Sequence, residues 1–186
     1  MGTARSDSLA RDLLTPANAV TLTGALLSFA GAYRLNTSAG LALVIVGRIC
    51  DILDGPLARR THTSRFGAML DATCDKLVAL ALLIASYHYR IVPIIFLVLI
   101  FAYHLTVTVL NVIIEHRGTA ARVTQDSKRT MFLHISSLIF FVGAHLVQGL
   151  AHTVLYLLAV VVLAGSGWFA AKSIRGFAAQ VRAIPQ

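Results

Sequence analysis

The amino-acid sequence predicts an all-α integral membrane protein with six transmembrane helices. Three observations support this prediction. The 186 residues are 57% hydrophobic and only 13% charged, whereas a soluble domain usually carries about 25% charged residues. Six apolar runs are long enough to cross the hydrocarbon core as a helix, which takes about 20 residues. The basic residues, finally, gather in alternate connecting segments.

The predicted spans alternate with short polar segments. They lie at residues 17–33, 39–58, 66–87, 91–114, 131–149 and 154–171. Thr15 and Pro16 precede the first span as an N-cap and a proline at the first helical position. Residues 1–15 are predicted to be a juxtamembrane amphipathic segment, in which ARSDSLARDLL forms a short helix on the membrane surface. Residues 16–186 then form a single six-helix domain.

The orientation follows from the basic residues, because Lys and Arg concentrate in cytoplasmic loops. With the N-terminus inside, 13 of the 16 Lys and Arg residues fall on the cytoplasmic side, and only Arg34 and Arg90 fall outside. Arg48 lies within the second span. Both termini are therefore predicted to be cytoplasmic, in a multi-pass protein of the plasma or inner membrane. The same distribution explains the net charge of +8, so the charge does not indicate a nucleic-acid partner.

One stretch concentrates carboxylates in this apolar chain. Half of the eight Asp and Glu residues lie within residues 51–75, and ionisable residues at a membrane are costly enough to mark functional sites. Asp51 and Asp54 are three residues apart on the second span and share a helix face. Asp71 and Asp75 are four apart on the third span and do the same. A short turn makes these helices antiparallel neighbours, so both faces are predicted to converge at the inner membrane boundary.

The residues around the aspartates favour a metal-dependent site for a diphosphate. Four converging carboxylates repel one another unless cations fill the space, and Mg²⁺ prefers oxygen ligands and commonly binds substrate phosphates as well. Gly55 and Gly67 leave room for a phosphate to approach, and Ala58 does so in smaller measure. Arg59 offers a planar guanidinium for a phosphate or a base edge. Ordinary boundary charges would explain one aspartate, but not four in register with two glycines.

The run D-x-x-D-G-x-x-A-R, followed by G-x-x-x-D-x-x-x-D, resembles the signature of the CDP-alcohol phosphotransferases. Every signature residue is present between Asp51 and Asp75. The resemblance implies transfer of a phosphatidyl group from a CDP-linked lipid, usually CDP-diacylglycerol, to a small polar alcohol with release of CMP. It also implies two Mg²⁺ or Mn²⁺ ions per site, a homodimer in the bilayer and an active site that faces the cytoplasm.

The same resemblance implies roles for individual residues. Asp51, Asp54 and Asp71 would bind metal, and Asp75 would complete the two-metal site and act as the general base. The residues expected to contact the nucleotide-linked donor are Asp54, Gly55, Ala58, Arg59 and Gly67. Asn18 and Thr21, at the inner start of the first span, are further candidates for a nucleotide contact or else cap and pack that helix.

The acceptor is predicted to carry its own phosphate, which would require cationic partners beyond those of the donor. The candidate residues are Arg122, Lys128, Arg129 and Arg175, although the positive-inside rule alone also accounts for them. Glycerol 3-phosphate is favoured, with inositol phosphate as the alternative. Lys76 resembles the phosphatidylglycerophosphate synthases, whereas FGAMLDATCD resembles the actinobacterial inositol-phosphate enzymes. Ala72 stands where the former usually have proline.

Two other hypotheses fit the acidic run less well. An aspartate-rich prenyltransferase would be expected to carry a second, separate aspartate motif, which the sequence lacks. A divalent-cation channel or transporter would place carboxylates near the bilayer midplane or in a ring.

Cys50 and Cys74 are expected to pack as small apolar side chains. Gly24 and Gly31 in the first span favour close helix packing.

Overall fold

The computed structural model describes residues 15–60, 65–119 and 124–183, without the side chains of residues 54–56, 58–60, 65 and 68. These residues form six helices and no strand, so the all-α fold class is confirmed for them. The helices are α1 (Pro16–Tyr33), α2 (Ser38–Arg60), α3 (Arg65–His88), α4 (Ile94–His116), α5 (Gln125–Leu146) and α6 (Leu150–Ala183). The surface helix predicted within residues 1–15 lies outside the described residues, apart from Thr15.

Helices α1 to α4 begin and end within a few residues of the predicted spans, but α5 and α6 do not. Helix α5 begins at Gln125, before the apolar run, because Thr124 caps it by accepting a hydrogen bond from the Ser127 N–H at 3.0 Å. Helix α6 continues to Ala183, well past the predicted end at residue 171. Hydropathy locates the apolar part of a helix, whereas a helix ends only where its backbone bonding stops.

Three of the described helices are long and apolar enough to cross a membrane: Ile94–His116, Gln125–Leu146 and Leu150–Ala183. This finding supports a membrane protein. Helices α2 and α3 carry the acidic run, which lowers their mean hydropathy, so composition alone does not mark them as spans. The number of six spans and the cytoplasmic position of both termini stay predictions.

The chain divides into two compact units, Met1–Tyr89 and Arg90–Gln186. In the first unit, α1 packs against both α2 and α3. Glycines allow α1 and α2 to approach closely: a Cβ placed on Gly24 would lie 2.9 Å from the Gly47 carbonyl oxygen. A Cβ on Gly47 would in turn overlap the Oγ of Ser28, which is fully buried. The close packing expected from the glycines of the first span therefore has its partner face on α2.

Gly47→Ala is expected to destabilise the protein. The added methyl group has no room beside Ser28 and the Gly24 carbonyl, and overpacking of this kind costs about 1–3 kcal/mol. The matched control is Gly165→Ala on α6, where an added Cβ meets nothing within 4 Å. Thermal unfolding of the purified protein, followed by circular dichroism, should show a lower midpoint for Gly47→Ala and an unchanged or higher one for Gly165→Ala. Equal midpoints would contradict the close α1–α2 contact.

In the second unit, α6 packs against both α4 and α5, and polar side chains join the three helices. The Tyr103 hydroxyl of α4 lies 3.1 Å from the Ser173 Oγ of α6 and 3.3 Å from the Ser127 Oγ of α5. His134 Nδ1 lies 3.5 Å from His104 Nε2. Interhelical hydrogen bonds of this type are common within membrane-spanning bundles, so these polar side chains have a structural role in the helix packing.

Candidate active site

Helices α2 and α3 bring three aspartates together, as the spacing on their two faces predicts. One carboxylate oxygen from each of Asp51, Asp71 and Asp75 lies within 4.8 Å of the others. All three residues are half-buried. Two oxygen ligands of one divalent cation lie up to about 4–5 Å apart, because each bond is about 2.0–2.6 Å long. The acidic cluster of Asp51, Asp71 and Asp75 therefore has the donor atoms and the separations that a hard divalent cation requires.

A basic side chain of α2 reaches the acidic cluster. Arg48 Nη1 lies 2.9 Å from Asp75 Oδ1 and 3.6 Å from Asp51 Oδ2. The spacing of three residues along α2 accounts for the contact with Asp51. The shorter contact joins α2 to α3, and the sequence pattern does not predict it. The guanidinium offsets part of the repulsion among the three carboxylates.

The other residues of the signature lie on the same two helices. Asp54, Gly55, Ala58 and Arg59 belong to the last turns of α2, and their side chains lie outside the described part of the chain. Gly67 is in the first turn of α3, four residues before Asp71. The backbone thus places the signature at the adjoining ends of α2 and α3.

Asn18 and Thr21 are both buried on α1. The backbone N–H of Asn18 donates to the capping oxygen of Thr15 at 3.1 Å, and the Thr21 hydroxyl donates to the Ala17 carbonyl at 3.1 Å. These contacts stabilise the start of a helix that packs against both helices of the acidic cluster. They account for capping and packing, and the predicted nucleotide contact of Asn18 and Thr21 stays a prediction.

Two of the acceptor candidates lie in the first turns of α5. Lys128 and Arg129 are both exposed. Arg129 Nη1 lies 3.6 Å from Asp126 Oδ1, and its guanidinium carbon lies 5.6 Å from the centre of the Phe169 ring. Arg129 is therefore already paired with neighbours in its own unit, whereas Lys128 offers an exposed ammonium group.

Of the other two acceptor candidates, Arg175 and Arg122, only Arg175 is among the described residues. Arg175 is exposed on α6 and lines a surface groove together with Arg182. Both cations belong to the part of α6 that lies beyond the predicted end of the last span. Arg122 lies outside the described residues. Arg175 and Arg182 therefore lie near each other on a helical extension in the second unit that hydropathy does not predict.

The chain belongs to the CDP-alcohol phosphatidyltransferase family, which it matches over residues 13–165. The matched region includes the acidic cluster and Arg48. The family assignment made from the signature residues is thereby confirmed.

Among curated proteins, the chain is similar to the phosphatidylinositol phosphate synthases of Mycobacterium bovis and of two strains of Mycobacterium tuberculosis. Each is 45% identical over 69 residues, which cover 34% of this chain and 31% of the relative. The match thus spans about a third of the length of these relatives. No solved structure matches the chain.

Proposed function

We propose that the protein is an integral membrane phosphatidyltransferase that uses CDP-diacylglycerol as the donor and a small phosphorylated alcohol as the acceptor. The observation that supports this most strongly is the acidic cluster, in which the carboxylates of Asp51, Asp71 and Asp75 lie within 4.8 Å of one another. It occurs in a chain that belongs to the CDP-alcohol phosphatidyltransferase family. An acceptor oxygen would form a bond to the lipid-bearing phosphorus, the bond to CMP would break, and the acceptor proton would leave.

The acidic cluster, together with Asp54, would hold two divalent cations, Mg²⁺ or Mn²⁺. Its donor set fits, because it consists of carboxylate oxygens, which hard cations prefer. Bound there, the ions would neutralise the diphosphate and stabilise the leaving oxygens.

The chain's own residues would perform the remaining tasks. Helices α2 and α3 would hold the carboxylates in place and position the donor, and Asp75 would accept the proton of the acceptor hydroxyl. Gly55 and Gly67 would leave room for the diphosphate, and Arg59 would pair with it. The chain would cross the membrane six times, with both termini in the cytoplasm. A site at the inner membrane boundary would let the lipid tails stay in the bilayer while the acceptor arrives from water. The family resemblance further implies a homodimer.

For the acceptor we propose inositol phosphate ahead of glycerol 3-phosphate. The similarity to phosphatidylinositol phosphate synthases, at 45% identity over 69 residues, supports inositol phosphate. Lys76, which directly follows the last aspartate, supports glycerol 3-phosphate as the second candidate. The cations that would bind the acceptor phosphate are Lys128, Arg129, Arg175 and Arg122.

The acceptor can be identified by measuring CMP release from CDP-diacylglycerol. The purified protein is incubated with Mg²⁺ and one of four alcohols: inositol phosphate, glycerol 3-phosphate, inositol or serine. We expect release at least tenfold faster with inositol phosphate than with glycerol 3-phosphate, and none above background with inositol or serine. Faster release with glycerol 3-phosphate would select the second candidate, and release with the uncharged alcohol inositol would contradict a phosphorylated acceptor. Absence of Mg²⁺-dependent release with every alcohol would contradict the transferase itself.

A further inference from the structure

We propose that Arg48 is the resident counter-ion of the acidic cluster and competes with the divalent cation for Asp75. The inference rests on the proposed function, because it concerns the same three carboxylates. Its consequence is a low affinity for the free cation: the guanidinium must give up Asp75 before that carboxylate becomes a metal ligand. Because Arg48 contacts both Asp51 and Asp75, it also holds these carboxylates near each other before any metal binds.

The contacts of Arg48 support a bridging role. Asp51 is one turn away on the same helix, yet the guanidinium approaches Asp75 of α3 more closely, at 2.9 Å against 3.6 Å. A charge-assisted hydrogen bond of this length is strong. Arg48 Nη1 donates it, and Asp75 Oδ1 accepts it. The same carboxylate contributes an oxygen to the acidic cluster, so the guanidinium and a metal ion would use one carboxylate.

Burial makes the placement of Arg48 informative. Its side chain is only 11% exposed, and its Nε is buried without a hydrogen-bond partner among the described residues. A buried charge is costly unless it is paired, and a buried donor without a partner adds to that cost. Arg48 is thus paired through its charge but incompletely hydrogen-bonded. Losing Asp75 would leave this buried charge with fewer partners still, so the guanidinium resists displacement from that carboxylate by an arriving cation.

Competition follows from the charges. A unit positive charge within hydrogen-bond distance of a ligand repels an arriving divalent cation, and the repulsion is stronger in a half-buried site than in water. Removing the charge of Arg48 leaves the three carboxylates with a larger net negative charge. Such a change should tighten cation binding, whereas damage to the fold would weaken it. The sign of the change therefore separates this role from a merely structural one.

The test is a Mn²⁺ titration of the purified protein, without donor or acceptor, in which electron paramagnetic resonance measures the free ion. Arg48→Met removes the charge and keeps much of the side-chain bulk, and we expect its Kd for Mn²⁺ to be at least tenfold lower than that of the wild type. Arg48→Lys keeps the charge, and its Kd for Mn²⁺ should stay within about threefold of that of the wild type. A tenfold change in Kd corresponds to about 1.4 kcal/mol of binding free energy. Arg117→Met, which removes an arginine that donates a hydrogen bond to the Val181 carbonyl at 3.3 Å in the second unit, should leave the Kd unchanged.

An unchanged or higher Kd for Arg48→Met, with wild-type binding intact, would overturn the counter-ion role and leave the proposed function standing. An equal gain in Arg48→Lys would also overturn it, because the effect would then not come from the charge. Failure of the wild type to bind Mn²⁺ at all would overturn the metal site of the proposed function together with this inference. Asp75→Asn in the Arg48→Met background should remove most of the gain, and persistence of the whole gain would show that Asp75 is not the shared ligand.

Discussion

Asp75→Asn is expected to reduce phosphatidyl transfer by at least about a hundredfold, because removal of a general base typically costs a factor of about 10²–10⁴. Asn has nearly the shape of Asp but cannot take up the acceptor proton, and it is a weaker ligand for a hard cation. Its carbonyl oxygen can still accept the hydrogen bond that Arg48 donates to Asp75 at 2.9 Å. The fold should therefore persist, and CMP release from CDP-diacylglycerol measures the effect.

The matched control for this substitution is Asp126→Asn. Asp126 also faces an arginine, Arg129, at 3.6 Å, but it lies in the second unit on α5 and is not among the signature aspartates. At saturating acceptor, its replacement should leave CMP release within about threefold of the wild type. Circular dichroism and gel filtration should show both variants folded. CMP release by Asp75→Asn at the wild-type rate would show that Asp75 is not the general base.

Asp51→Asn and Asp71→Asn should each weaken the binding of metal and of donor together. Each change removes one charged oxygen ligand from a cluster whose members lie within 4.8 Å of one another, so the cations bind less tightly. A donor diphosphate that is held through these cations then binds less tightly as well. We expect at least a tenfold rise in the Kd for Mn²⁺ and a comparable rise in the KM for CDP-diacylglycerol.

The decisive comparison for these two variants is between the two constants. Mn²⁺ binding is measured without lipid, and the KM is measured at a fixed, subsaturating Mn²⁺ concentration. Parallel changes would support a donor held through metal. A raised Kd for Mn²⁺ with an unchanged KM, or donor binding that does not depend on metal, would mean that the diphosphate is bound by other residues.

The convergence of the aspartates was predictable because it depends on short-range rules. Residues three or four apart share a helix face, and a short connection makes neighbouring helices antiparallel. Asp51, Asp71 and Asp75 need nothing more to meet. The contact between Arg48 and Asp75 could not be predicted in the same way, because it depends on how far apart α2 and α3 lie and how each is rotated about its axis. The nearest signal was the spacing of Arg48 and Asp51.

The ends of the later helices were missed for a different reason. The start of α5 reads as a polar loop, QDSKRT, and only the cap at Thr124 shows that the helix has begun. The extension of α6 beyond residue 171 has charged residues between buried positions such as Ser173 and Phe177. Apolar length predicts where a helix can cross hydrocarbon, but not how far it continues beyond it. Arg175 and Arg182 lie on this extension, so their placement on one helix was also missed.

Anomalous diffraction from crystals grown with Mn²⁺ and CDP-diacylglycerol tests the central claim most directly. The account predicts manganese peaks beside the diphosphate, within about 2.0–2.6 Å of carboxylate oxygens of Asp51, Asp71 and Asp75. A donor bound in crystals that show no manganese at these three residues, or manganese only elsewhere, would contradict it.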